Sequence, residues 1–160
     1  MGVSGCGKSK IGTALSVLCG MDFIDGDDLH PKRNIDKMAS GVPLEDADRR
    51  PWLASVGQVL AKAEGPIVVG CSALKRCYRD WIRREVPEPV RFLHLDAPKS
   101  VLAKRVAGRS GHFMPSKLLD SQFAALERLG ASEWGAEIDI IKPYEAVVAQ
   151  SERYVKETLV

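Results

Sequence analysis

One short run near the amino terminus constrains this chain more than any other feature, because it matches the pattern GxxxxGK[ST] in full. The run consists of Gly2, Val3, Ser4, Gly5, Cys6, Gly7, Lys8 and Ser9. Glycines let the backbone curl so that successive N–H groups point at phosphate oxygens, and we expect all eight residues to bind ATP. Lys8 is expected to reach the β- and γ-phosphates as a catalytic residue, and the Ser9 hydroxyl to ligate Mg²⁺.

A chance match in a glycine-rich turn is the alternative interpretation of this run. It is disfavoured because Ile11, Ala14, Leu15 and Leu18 follow at the spacing of one helical face. The first turn of that helix would add the positive end of its dipole to the same anion. The run therefore predicts a nucleotide-binding loop.

Short apolar runs alternate with amphipathic helical patterns along the rest of the chain, which is typical of a parallel sheet covered by helices. The predicted strands are residues 22–25, 67–71, 91–96 and 138–141. The predicted helices cover residues 9–19, the segment that starts with Pro51 in a first-turn position, and the segment from Pro143 onwards. We predict an α/β fold, a P-loop NTPase-type parallel sheet flanked by helices, in a single domain over residues 1–160.

Only Met1 precedes the loop, whereas a phosphate-binding loop normally follows the carboxyl end of a buried parallel strand. We therefore expect the first strand to be truncated to residues 1–3 or missing. Losing about five buried apolar residues, at about 1.5–3 kcal/mol each, could exceed the whole stability of a small domain. We hypothesise that the natural product begins upstream; an intact mass of the native protein equal to this chain's would contradict this.

Composition bounds the partners and the compartment. The net charge is +2, from 23 basic and 21 acidic residues, so neither a nucleic-acid nor a membrane partner is expected. No apolar run approaches the roughly 20 residues that cross a bilayer. The four cysteines show no CxxC spacing, which favours reduced thiols and a cytoplasmic location over a disulfide framework or a zinc site.

Two carboxylates follow the strand predicted over residues 22–25. Asp25 and Asp27 would project to the same side of an extended segment, at the strand end where parallel α/β sheets bind ligands. Asp25 is a candidate ligand of hydrated Mg²⁺, and Asp27 is a candidate catalytic base for an attacking hydroxyl. On spacing alone, an acidic helix N-cap is an equally good interpretation.

Four segments of the chain resemble the gluconate kinases, P-loop kinases related in fold to shikimate kinase and the nucleoside monophosphate kinases. The segments are GVSGCGKS (2–9), DGDDLHPKRNIDKMASGVPLEDADRRPWL (25–53), CSALKRCYRDWIR (71–83) and GHFMPSKLLDSQFAALE (111–127). The resemblance implies an acceptor-binding segment at about 25–53, a lid at about 105–127 and a possible homodimer. It also implies the reaction ATP + D-gluconate → ADP + 6-phospho-D-gluconate, with Mg²⁺.

Two other functions remain open at this point. One is a different small-molecule kinase of the same superfamily, with a shikimate-like acceptor. The other is a truncated, inactive relative that binds nucleotide without turnover.

The resemblance places a group of cationic and hydrogen-bonding side chains at the acceptor site. They are Asp27, His30, Lys37, Arg49, Arg50 and Lys75. Gluconate carries a carboxylate and several hydroxyls, so its pocket needs such groups, and arginine binds two carboxylate oxygens at once. Lys75 is also a candidate catalytic charge stabiliser, and Arg79 a weaker one. Alternatively, Arg49 and Arg50 are a solvated helix start.

The predicted lid carries two arginines four residues apart, hence on one face of a helix end. The resemblance implies that Arg105 binds ATP and that Arg109 is catalytic, brought to the transferring phosphoryl group when the lid closes on a hinge at residues 110–111. The alternative is that both are surface cations at a helix C-terminus. His112 matches the lid motif without an assigned role.

Three other positions also have predicted roles. Cys71 is interpreted as a small packing residue, because phosphoryl transfer needs no covalent intermediate. His94 is predicted to be a packed core histidine. Residues 141–143 are expected to line the adenine pocket.

Overall fold

The structure is a computed structural model, and it describes residues 1–108 and 116–158, without the side chains of residues 116 and 117. The four strands of this part of the chain are β1 (Asp22–Asp25), β2 (Ile67–Gly70), β3 (Phe92–Asp96) and β4 (Gly135–Asp139). Its helices are α1 (Lys8–Cys19), α2 (Lys32–Ala39), α3 (Asp46–Lys62), α4 (Arg76–Arg84), α5 (Lys99–Ala107), α6 (Ser116–Ala125) and α7 (Tyr144–Thr158). A short 3₁₀ helix, Gly26–Leu29, follows β1.

The strands form two parallel pairs, β1 with β2 and β3 with β4. Asp25 lies opposite Gly70 in the first pair, and Asp96 lies opposite Asp139 in the second. The parallel strands flanked by helices confirm the predicted α/β class. They form two pairs, however, and not one continuous hydrogen-bonded sheet.

Residues 1–3 lie between the two strand pairs. The amino group of Met1 donates a hydrogen bond to the carbonyl of Leu93, and Leu95 N donates to Met1 O at 3.0 Å. On the other side, Gly2 N donates to Ser72 O at 3.1 Å. This stub is too short to form a strand, as expected from the sequence, and these bonds connect it to β3 and to the segment that follows β2.

The hydrophobic core, like the strands, is divided into two parts. One buried cluster packs α1, α5 and α7 around β3 and β4, with Leu15, Leu102 and Ile138 at its centre. The other packs α3 and α4 beside β2, with Leu53 and Ile82. Between β2 and β3 lies a cavity of about 520 Å³ with mostly apolar walls, along the line that a central strand would occupy.

Two predicted boundaries were wrong. Helix α3 begins at Asp46, so that Pro51 lies inside it and not in its first turn, because Glu45 and Asp48 form a capping box that starts the helix earlier. Strand β4 begins at Gly135, three residues before the predicted start. The backbone of Gly135 comes so close to Phe92 O that a Cβ would lie 2.3 Å away. An apolar pattern in the sequence does not reveal this close approach.

Candidate active site

The loop at residues 2–9 has the backbone of an anion cradle. Gly2, Gly5 and Gly7 all have positive φ angles, of 140°, 81° and 93°, which side chains with a Cβ rarely adopt. Gly7 directly precedes α1, so the helix N-terminus points into the same loop. Lys8 crosses the loop, where its Nζ lies 3.2 Å from Gly2 O and 3.4 Å from Val3 O. The loop is thus shaped for phosphate binding, with its cation inside.

Helices α5 and α6 pack against this loop. A Cβ on Gly5 would lie 2.7 Å from Val106 Cγ2, so glycine lets the end of α5 approach. Ser4 N donates to Gln122 Oε1 of α6 at 2.7 Å, and this amide oxygen occupies a loop N–H. Sequence reasoning missed Gln122, since an uncharged amide on a helix carries no motif signal beyond the family-like segment around it.

Asp25, the last residue of β1, and Asp27 adjoin the loop. Ser9 Oγ donates to Asp25 Oδ2 at 2.6 Å, and the other Asp25 oxygen accepts from Asp27 N at 3.1 Å. Asp25 therefore caps the 3₁₀ helix, and the extended geometry predicted for residues 25–27 was wrong. Desolvation raises the pKa of Asp27 above the ordinary aspartate value, against a lowering by Lys8.

His30 ends the 3₁₀ segment and stacks on an aromatic ring of α3. Its ring centroid lies 4.0 Å from that of Trp52, at an interplanar angle of 17°. Trp52 is itself fixed, because its Nε1 donates to Gly26 O at 2.7 Å. Burial, together with the positive charge of Arg49, lowers the pKa of His30 to about 4, so the imidazole is neutral at physiological pH.

The first turn of α3 holds the predicted acceptor-site lysines in ion pairs. Lys37 Nζ lies 2.6 Å from Asp48 Oδ2, and Lys75 Nζ lies 2.9 Å from both Asp46 oxygens. Tyr78 also donates to Asp46, and these bonds hold the pKa of Asp46 below its ordinary value. Both lysines are therefore held beside the acidic turn.

The side chains of the adjacent Arg49 and Arg50 have different surroundings. Arg49 donates to the carbonyl of Leu44 and lies 5.6 Å from the Tyr78 ring centroid, close to His30 and Lys75. Arg50 is exposed and lies over Trp81 at 5.8 Å. The structure therefore brings Arg49 close to other residues predicted for the acceptor site and leaves Arg50 on the outer face of α3, where the solvated interpretation suits it.

Arg79 is not a charge stabiliser of the site, and that weaker prediction was wrong. Its side chain is fully buried and forms a bidentate pair with Glu133 at 2.6 and 2.7 Å. Its other hydrogens bond backbone carbonyls, including Ala73 O at 3.2 Å and Glu127 O at 3.1 Å. Arg79 therefore ties the segment before Lys75 to the segment after α6.

On the far side of the loop, Arg105 Nη2 donates to Ile140 O at 2.8 Å. This bond joins the end of α5 to the residue before 141–143, the segment predicted to line the adenine pocket, in which Ile141 is 56% exposed. The predictions for Arg109, the hinge at 110–111 and His112 lie outside the described residues.

Cys71 and His94 are buried, as predicted from the sequence. Burial raises the pKa of the Cys71 thiol to about 12, which leaves it unreactive at neutral pH. His94 Nδ1 faces Glu137 Oε1 at 3.4 Å inside the β3–β4 pair. Both residues support packing and not chemistry.

None of the helices within residues 1–108 and 116–158 is long and apolar enough to cross a membrane. In the same part of the chain, His, Cys, Asp and Glu side chains do not gather in threes as a metal cage.

The chain is similar in sequence to proteins of known family. A family model described as an AAA domain matches residues 1–129. The thermosensitive gluconokinase of Escherichia coli K12 is 49% identical over 136 residues, which cover 83% of this chain and 72% of that protein. The thermoresistant gluconokinase of the same organism is 40% identical, covering 98% and 91%. The chain belongs to the gluconokinase family.

Solved structures agree with this assignment to the gluconokinases. A crystal structure of a gluconokinase from Sinorhizobium meliloti 1021 superposes with a TM-score of 0.90 at 46% identity, covering 98% of this chain and 89% of that one. Shikimate kinase from Aquifex aeolicus, at 15% identity and a TM-score of 0.56, shares the fold alone. The predicted fold class and the resemblance are confirmed.

Proposed function

We propose that the chain phosphorylates D-gluconate with ATP, yielding 6-phospho-D-gluconate and ADP. The observation that carries the proposal is the bond between Ser9 and Asp25, at 2.6 Å. It joins the phosphate-binding loop to the acidic turn that leads into the acceptor-side network. Donor and acceptor groups therefore meet at one edge of the strands, where α/β folds bind ligands.

The nucleotide half consists of the loop and its neighbours. The loop amides and the N-terminus of α1 bind the phosphates, and Lys8 leaves its carbonyl partners for the β- and γ-oxygens. Arg105, anchored beside residues 141–143, supports the adenosine end. Arg109 belongs to the proposal only from its place in the predicted lid, at about residues 105–127.

Ser9 and Asp25 are the residues that would hold Mg²⁺. A hydroxyl and a carboxylate 2.6 Å apart are hard oxygen donors, and Mg²⁺ in kinases is held by one or two such groups together with phosphates and waters. The residues present therefore fit the ion. When bound, Mg²⁺ neutralises charge on the phosphate oxygens.

The acceptor half is a cationic network around a neutral imidazole. Lys37, Arg49 and Lys75 supply positive charge for the gluconate carboxylate, and His30 supplies a hydrogen bond. Arg50 adds only long-range charge, because it lies on the outer face of α3. The alternating acids Asp46 and Asp48 keep the lysines oriented.

The reaction itself needs one proton acceptor. Asp27 takes the proton of the C6 hydroxyl as that oxygen attacks the γ-phosphorus, and ADP leaves with the electron pair of the broken P–O bond. Desolvation raises the pKa of Asp27, which strengthens it as a base. Lys8 and Lys75 stabilise the charge that develops on the phosphoryl oxygens.

An acceptor panel tests the substrate. ADP release is measured with D-gluconate, shikimate and related sugar acids at equal concentrations, with and without Mg²⁺. We expect Mg²⁺-dependent release with gluconate at least tenfold above the other acceptors. Preference for shikimate would assign the chain to another kinase, and nucleotide binding without turnover would make it an inactive relative.

We also propose a cytoplasmic location and a homodimeric state. The four cysteines are unpaired in the structure, which suits a reducing compartment. Light scattering during size-exclusion chromatography tests the dimer, and cell fractionation tests the location.

A further inference from the structure

A buried amide in α2 contacts the predicted acceptor site. Asn34 is 0% exposed, and sequence reasoning gave it no role. Its Nδ2 donates to Asp48 O at 2.9 Å and contacts His30 Nδ1 at 3.3 Å. It therefore links His30 to Asp48, the partner of Lys37.

The orientation of this amide is fixed by its partners. A backbone carbonyl can only accept, so the group that faces Asp48 O must be the NH₂ end of Asn34. Within the described residues, Asn34 Oδ1 is the one buried side-chain polar atom without a partner. A buried acceptor without a hydrogen-bond partner costs about 1–3 kcal/mol. The contacts of Nδ2 with Asp48 O and His30 Nδ1 therefore hold the amide in this orientation.

The NH₂ group has two hydrogens, one for Asp48 O and one for His30. Nδ1 of His30 must then be an acceptor, because a hydrogen on it would face another N–H. In a neutral imidazole the single hydrogen therefore sits on Nε2. Stacking on Trp52 keeps the ring in this plane.

Nε2 is left to face a ligand. It has no hydrogen-bond partner among the described residues, and it is not fully buried. Neutrality is supported independently by burial and by the nearby charge of Arg49, which together lower the pKa of His30.

We propose that Asn34 is a positioning residue that holds His30 in its Nε2–H form, so that this imidazole only donates a hydrogen bond, to an oxygen of the polyhydroxy-acid acceptor. The second half of this proposal rests on the proposed function. The first half does not, because the tautomer is a property of the chain without substrate.

The tautomer is measured directly by long-range ¹H–¹⁵N correlation spectra at pH 7. The chain has three histidines, so the spectrum is sparse, and His30→Gln assigns the His30 signals. We expect the Nε2–H pattern for His30. His94 is an internal control, since its Nδ1 lies 3.4 Å from a Glu137 oxygen and its Nε2 lies 3.9 Å from an Asp96 oxygen, and the nearer carboxylate favours the Nδ1–H pattern. An Nδ1–H pattern or a mixture at His30 would overturn the proposal, whatever the enzyme's substrate.

Substitution tests the cause. In Asn34→Asp the new carboxylate accepts from Nδ1, so we expect His30 to change to the Nδ1–H or the doubly protonated form. Asn34→Leu removes the donor without adding an acceptor and should give both tautomers. An unchanged His30 signal in the folded Asp variant would show that Asn34 does not set the tautomer. If both variants fail to fold, the wild-type spectrum still decides.

Kinetics test the consequence for the acceptor. Glutamine can place an N–H near the position of Nε2, whereas asparagine reaches only the position of Nδ1. We expect His30→Asn to raise the KM for gluconate about tenfold or more, and His30→Gln to raise it less, with the KM for ATP within twofold in both. Equal effects of the two variants, or equal effects on both substrates, would refute the donor role even if gluconate is the substrate.

Discussion

Glu133→Gln should destabilise the chain strongly, because Glu133 is the counter-charge of a fully buried arginine. The carboxylate accepts two hydrogen bonds from Arg79, at 2.6 and 2.7 Å, and one from Arg83 at 2.7 Å. The Glu133 side chain is 1% exposed and that of Arg79 is 0% exposed. Removing one partner of such a pair typically costs about 3–5 kcal/mol.

Glutamine keeps one acceptor oxygen, and Arg79 keeps its bonds to backbone carbonyls. We therefore expect the lower end, a loss of about 3 kcal/mol in the free energy of unfolding. For a chain of this length that lowers Tm by roughly 6–12 °C. Urea unfolding followed by circular dichroism measures the loss directly.

The matched control is Glu152→Gln, which breaks an exposed pair with Lys156 and should change stability by less than about 0.5 kcal/mol. The pKa of Glu133 is held far below its ordinary value, chiefly by Arg79. The stabilisation is therefore present above the ordinary glutamate pKa, about 4.3, and is lost as the pH falls below it. A Glu133 variant as stable at pH 7 as the control would refute this reasoning.

Three further predictions concern activity. Lys8→Ala should leave the fold intact and keep no more than a few per cent of kcat, measured by ADP release; a higher residual rate would contradict the role of Lys8. Asp27→Asn should lower kcat by about 10²–10⁴-fold and weaken ATP binding much less, whereas equal losses in kcat and in ATP affinity would indicate a structural carboxylate. Because the pKa of Asp27 is raised, the acid limb of the wild-type kcat profile should lie above the ordinary aspartate pKa. Arg49→Met should raise the KM for gluconate about tenfold, and Arg50→Met less than threefold; the reverse order would place Arg50 at the acceptor.

Local sequence signals predicted the phosphate-binding loop and the two elements that follow it, α1 and β1. The loop pattern, the helical spacing after it and the apolar run of β1 are each contained in a few consecutive residues, and the structure has α1 and β1 within one residue of the predicted bounds. The prediction of a truncated strand before the loop also rested on a few adjacent residues. Motif and periodicity suffice where one segment determines its own conformation.

Pairings between distant segments could not be predicted in this way. Arg79 looks like any helical cation until Glu133, 54 residues away, is folded against it. Asn34 and Gln122 are neutral amides, and neither charge nor spacing marks their contacts with His30 and Ser4. These contacts depend on the packing of α2 and α6 against other elements, which the sequence does not display.

The central claim is that this chain moves the γ-phosphoryl group of ATP to the C6 oxygen of D-gluconate. ³¹P NMR of a complete reaction mixture tests it most directly, because a phosphate monoester on C6 couples to the two C6 protons and gives a triplet. We expect that triplet to grow as the γ-phosphate signal of ATP declines. Inorganic phosphate as the only product, or an ATP spectrum unchanged by added gluconate, would contradict the account.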